Sequence, residues 1–181
     1  MKHVLFLVLG ITVLSPSGYA QSDAELIEQA LAAAPRRARA DASVIKWSND
    51  FTYTTIKEGT NPIVCYSRAD ERDRPPFAVQ CTSKANLDRV AQNRRFHAGS
   101  SDRESEAALV AAAAADGTRV APEYGSWLRS MNGPDQASAG THTTIAMPMA
   151  TAASSGFPDR PGQGGAWIMA AGTSEAHLMV P

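Results

Sequence analysis

The sequence predicts an α+β fold: a single domain built on an antiparallel sheet, with an N-terminal helix, central helices and one disulfide. Three observations carry this expectation. Strand-type segments fall in two groups, one between Ser43 and Cys81 and one from Thr141 to the C-terminus. Helical patterns precede the first group and separate it from the second, the arrangement of segregated elements that marks an α+β domain. The chain has two cysteines, Cys65 and Cys81, both inside the first strand group.

The elements follow in order. Ser22-Asp23-Ala24-Glu25 has capping-box spacing, and Ile27, Ala30, Leu31 and Ala34 then repeat at i, i+3, i+4, i+7, so a helix starts at Asp23 and stops or kinks at Pro35. Ser43–Trp47 and Phe51–Lys57 have strand composition, the second placing Phe51, Tyr53 and Thr55 on one face. Glu58-Gly59-Thr60-Asn61-Pro62 is a turn signal, after which Ile63–Ser67 is expected to return as the hairpin partner. In Arg68–Pro76, Asp70, Glu71 and Asp73 interleave with Arg68, Arg72 and Arg74, which reads as a solvated mixed-charge loop. Phe77–Cys81 is the next strand, and Ser83 caps a short helix through Val90. Ser101-Asp102-Arg103-Glu104 is a second capping box, opening an alanine-rich packed helix that ends at Asp116-Gly117. Asn132–Gly140 and Ser154–Gly165 are exposed loops flanking a strand over Thr141–Met149, and a hairpin closes the chain.

The N-terminus sets the compartment. Met1-Lys2-His3 is basic, Val4–Leu14 is apolar, and Gly18-Tyr19-Ala20 puts small residues where a signal peptidase reads, so residues 1–20 are expected to be a secretory signal cleaved after Ala20. The apolar run is about half the roughly 20 residues that a membrane span needs, and the mature chain, 21–181, carries no such span. Export makes oxidation the default, so Cys65 and Cys81 are expected to be bridged. A net charge of −1 over 181 residues gives no reason to expect a nucleic acid or an anionic membrane as partner. Arg36, Arg37 and Arg39, and Arg94 with Arg95, read as solvated helix ends.

Three stretches together resemble a family of small exported bacterial proteins with no assigned activity: "EGTNPIVCYS" followed by a second cysteine, "GTH" in Gly140–His142 ahead of Met147-Pro148, and "GTSEAHLMVP" in Gly172–Pro181. The resemblance spans about Val44 to the end. It implies a single disulfide-bearing domain, and it differs here in carrying Ser174-Glu175 where the family has Pro-Tyr.

The residues able to do chemistry are few. Beyond residue 20 the histidines are His97, His142 and His177, and the methionines are Met131, Met147, Met149, Met169 and Met179. Thioether and imidazole ligands suit copper, Cu(I) above all. In the closing hairpin, a three-residue turn at Gly172-Thr173-Ser174 sets Met169 opposite His177 and Trp167 opposite Met179, gathering Met169, His177 and Met179 on one surface. A two-residue turn instead sets His177 opposite Ile168. His142 joins this set only if its strand meets the hairpin face. Methionine and tryptophan on one face of a hairpin are more often core packing, and a lone histidine there is more often a satisfied structural residue. A hydrolase would need His142 or His177 as base with Asp135, Asp159 or Glu175 as orienter, yet no serine lies in a G-x-S-x-G motif. The first expectation is therefore a non-catalytic binding or structural module with no cofactor, the second a soft-metal (copper) protein using His177, Met169, Met179 and His142, and the third a Ser/His hydrolase.

Overall fold

The computed structural model describes residues 21–162 and 165–181. The expected signal segment and its cleavage point at Ala20 lie outside them. The fold is α+β, as expected: the described residues form four α-helices and one eight-stranded sheet. The chain runs α1 (Asp23–Leu31), β1 (Ser43–Trp47), β2 (Tyr53–Lys57), β3 (Ile63–Ser67), β4 (Phe77–Ser83), α2 (Leu87–Gly99), α3 (Arg103–Ala115), β5 (Trp127–Gly133), β6 (Gly140–Ala146), α4 (Ala152–Ser155), β7 (Trp167–Met169) and β8 (His177–Val180). The strand order is β2-β1-β3-β4-β5-β6-β8-β7, antiparallel at every junction but the parallel β1–β3 pair. Among the described residues no helix is long and apolar enough to cross a membrane.

The Ser22 side chain and Glu25 close the expected capping box on α1. Small residues let this helix and the turn after it sit low on the sheet: Ala30 of α1 and Ala33 and Ala34 just beyond it are buried in one cluster with Val44, Ile63, Phe77 and Val79. The disulfide lies in that layer. Cys65 and Cys81 are directly opposite on β3 and β4, their Cα atoms 4.1 Å apart and both fully buried. The bond therefore rivets two central strands well inside the sheet, rather than tying the ends of the 68–76 loop.

The other face carries α2. Strand alternation turns Val64 and Tyr66 toward Leu87, Val90 and Ala91, with Ile45 and Trp47 of β1 completing the cluster. Tyr66 donates to Gln80 Oε1 at 2.7 Å across β3–β4, so its buried hydroxyl has a partner.

The architecture departs from the sequence reading at several places, among them the helix expected to end at Val90, which runs over Leu87–Gly99. β3 is not the hairpin partner of β2; it lies on the far side of β1, parallel to it, and β2 is left at the edge. The connection crosses the start of β1, and Gly59 makes that crossing possible: a Cβ there would sit 2.4 Å from the backbone of Asp41, Ala42 and Ser43. Asn61 holds the crossing, donating to Ala38 O at 2.8 Å and accepting from Ile63 N at 2.9 Å. β5 was not expected, because Leu128, Ser130 and Asn132 alternate with Trp127, Arg129 and Met131 as two mixed faces rather than one apolar and one polar. The α3 cap is Asp102 with Ser105, one residue on from the expected Ser101 box, and of α3 only Ala113 is buried. β6 ends at Ala146, short of Met149, which adopts a left-handed backbone (φ 66°).

Candidate functional site

The register of the last four strands places the expected site residues. β8 pairs β7 with Trp167 opposite Met179, Ile168 opposite Leu178 and Met169 opposite His177. The connection spans residues 170–176 rather than three, yet it gives the pairing that gathers Met169, His177 and Met179 on one face. β8 pairs β6 on its other side, with Thr144 opposite Met179 and Ala146 opposite His177. His142, two residues before Thr144, therefore points to the same face as Met179, whereas Met147 packs on the opposite one with Ile168 and Leu178.

Side chains divide this face in two. His177 Nδ1 lies 2.7 Å from the Glu175 carbonyl, which can only accept, so Nδ1 carries an N–H and donates. The ring lines a cavity of about 240 Å³ between α2 and the sheet, with Asn86, Arg89 and Asn93 above and Leu128, Thr144 and Ala146 below. Met169 and His142 stand on the exposed shelf beside it. Among the described residues neither His142 nor His177 hydrogen-bonds a serine: Ser126 in the cavity donates to Glu123 O at 2.6 Å and accepts from Asn86 at 2.9 Å. Among the described residues no three His, Cys, Asp or Glu side chains converge as a metal cage.

Charged residues that the sequence presents as solvated are instead interior. Glu71 has a side chain only 5% exposed; Arg68 donates to it at 2.9 Å, Arg94 at 2.6 Å and Arg74 at 3.3 Å. Burial alone would push this carboxyl up, but hydrogen bonds and charge from Arg68, then the charges of Arg94 and Arg74, hold it below its ordinary value. Arg94, 8% exposed, also bonds Asp70 at 2.6 Å and lies over the Trp47 ring at 5.3 Å. The loop Arg68–Pro76 is thus folded back onto α2, and Arg94 is no solvated helix end. The loop also meets the α2–α3 corner. His97 faces Glu106 of α3 through Nδ1 at 2.9 Å and the Arg72 carbonyl through Nε2 at 3.0 Å.

Glu175 forms a second cluster. Arg119 grips its carboxylate bidentately at 2.9 and 3.1 Å, and Arg89 adds a bond at 2.7 Å. Burial would raise this carboxyl too, but the Arg119 hydrogen bonds and the Arg89 charge outweigh it and hold it low. Glu175 lines three adjoining cavities: the one holding His177, a polar one of about 280 Å³ reaching Arg68 and Glu106, and one of about 780 Å³ beneath α3. Sequence reasoning named Glu175 only as a hydrolase orienter; pairing residues 86 and 56 positions apart leaves no local signal. Against family models, curated proteins and solved structures, this chain finds no match.

Proposed function

We propose that this protein is an exported, non-catalytic binding module whose site is the gap between the α2–α3 layer and the C-terminal half of the sheet. One observation carries the reading. Three clefts open to solvent adjoin around Glu175, concave and lined by both apolar and polar groups as ligand sites are. The polar groups around the first are partly uncommitted: Asn86 is fully bonded, whereas His177 Nε2 and Thr144 Oγ1 make no side-chain bond among the described residues. The signal-like residues 1–20 support export, and the Cys65–Cys81 disulfide is compatible with it. The experiment is amide NMR of the oxidised 21–181 chain against mixtures of small fragments. Saturable shifts clustered on Asn93, Thr144, His177 and Val110 are expected; shifts that scatter, or none, overturn the reading.

A second reading is favoured by the hairpin register. The register sets Met169 opposite His177 and Trp167 opposite Met179, so two thioether residues share a face with His177, and His142 lies farther along it. We propose Cu(I) as the metal of such a site. Competition titration should give one-to-one binding lost in both His177→Ala and Met169→Ala; binding indifferent to both variants removes this reading.

A further inference from the structure

The largest of the three cavities carries a ligand class of its own. It lies between one face of α3, formed by Ala107, Val110, Ala111 and Ala114, and the β7–β8 connection at Ala170 and Thr173. At about 780 Å³ it has the size of a small-molecule site. The helix above it is apolar from Ala107 to Ala115, yet only Ala113 is buried and Leu109 remains 38% exposed. A helix this poor in burial stands on alanine propensity, on its Asp102–Ser105 cap and on packing against α2. It therefore does not need to fill the space beneath it.

Charge at the cavity is one-sided. Its two carboxylates are committed, Glu106 to His97 and Glu175 to Arg89 and Arg119. Its arginines keep free donors: Arg103 forms no ion pair among the described residues, and Arg74, paired with Glu71 through Nε, makes no hydrogen bond through its two terminal nitrogens among them. Arg103 also occupies the first position of α3, where the helix dipole opposes a cation and favours an anion.

An apolar wall with the unpaired Arg103 guanidinium and the free terminal nitrogens of Arg74 at its end matches one kind of molecule. We infer that the space under α3 binds a single-chain anionic amphiphile, its chain along Ala107, Val110, Ala111 and Ala114 and its head group on Arg103 and Arg74. The inference rests on the reading of the α2–α3 gap as the binding site and names the ligand of its widest part. Long-chain carboxylates and single-chain phospholipids share this chemistry.

The test uses the oxidised 21–181 chain, with dodecanoate below its micelle concentration as probe and calorimetry plus amide NMR as readouts. One-to-one saturable binding is expected, with shifts at Val110, Ala111 and Ala170. Lysophosphatidate in place of dodecanoate separates the two sources by relative affinity. Arg103→Gln should weaken binding about tenfold, the loss of one charge-assisted hydrogen bond. Ala111→Trp, at an exposed helical position, should fill the cavity and abolish binding with far-UV dichroism unchanged. Butyrate, which has the charge without the chain, and dodecyltrimethylammonium, which has the chain with the opposite charge, should not bind. No saturable dodecanoate binding, or binding that survives Ala111→Trp, overturns the inference. If fragments still map to the gap around His177 in that case, the broader reading stands without it.

Discussion

Glu71→Gln tests whether the buried charge network supports the fold. The wild-type carboxylate compensates Arg68, Arg94 and Arg74, whose side chains are 19%, 8% and 31% exposed. Removing one partner of a buried ion pair costs about 3–5 kcal/mol. The amide still accepts hydrogen bonds and water screens Arg74 and part of Arg68, so the expected loss is at the lower end, about 3 kcal/mol. In a domain of this size that lowers the thermal midpoint by about 6–12 °C. The pH dependence has a definite sign. Because the folded carboxyl is held below its ordinary value of 4.5, its contribution is complete above that pH and is lost as pH falls through the lowered folded value. Thermal and urea unfolding of both proteins at pH 7 and pH 3 should show a gap that narrows in acid. Asp73→Asn is the control, since that side chain is 77% exposed and its removal should change stability by less than about 0.5 kcal/mol. A Glu71→Gln gap below about 0.5 kcal/mol at pH 7, or one equal at both pH values, refutes the reasoning.

Reducing the Cys65–Cys81 bond, which closes a separation of 16 residues, should destabilise the chain by about 3 kcal/mol on the loop-entropy account; equal melting with and without reductant would remove the bond as a stabilising element. Gly59→Ala should cost about 3 kcal/mol, the upper end of overpacking, because its new methyl meets backbone on every side, and an unchanged urea midpoint would contradict the close approach. Glu175→Gln leaves Arg119, only 4% exposed, without its carboxylate, so about 1–2 kcal/mol should be lost and amide exchange at residues 170–176 should quicken; unaltered exchange there would show the ion pairs to be idle. Expressed with its first 20 residues in an exporting host, the protein should be recovered with Gln21 at its N-terminus, and an intact Met1 chain in the envelope fraction would count against cleavage at Ala20.

Local chemistry is what the sequence conveys. The Ser22–Glu25 capping box, the end of α3 at Asp116-Gly117, and the Cys65–Cys81 bond are all set by neighbours in the chain or by the absence of any other cysteine. The hairpin is partly of this kind: alternation puts His177 and Met179 on one face whatever the turn, but the turn length decides whether Met169 or Ile168 stands opposite His177, and the sequence leaves both open. Long-range pairing settles it, because β8 is held between β6 and β7 and its register is fixed from both sides.

What the sequence determined by itself is therefore the α+β class, the disulfide and the face shared by His177 and Met179, since periodicity and capping act over a few residues. Tertiary structure alone decided the rest. β3 crosses to the far side of β1 because the backbone at Gly59 can touch the backbone at 41–43, a contact no local pattern encodes. Glu71 and Arg94 look like solvent-facing charges in a polar stretch, yet folding the 68–76 loop onto α2 places them where only each other's charge makes burial tolerable. The gap around Glu175 is of the same origin: Arg89 of α2 and Arg119 of the α3–β5 connection meet the β7–β8 connection through ion pairs spanning more than fifty residues, and such distances carry no signal in a linear chain.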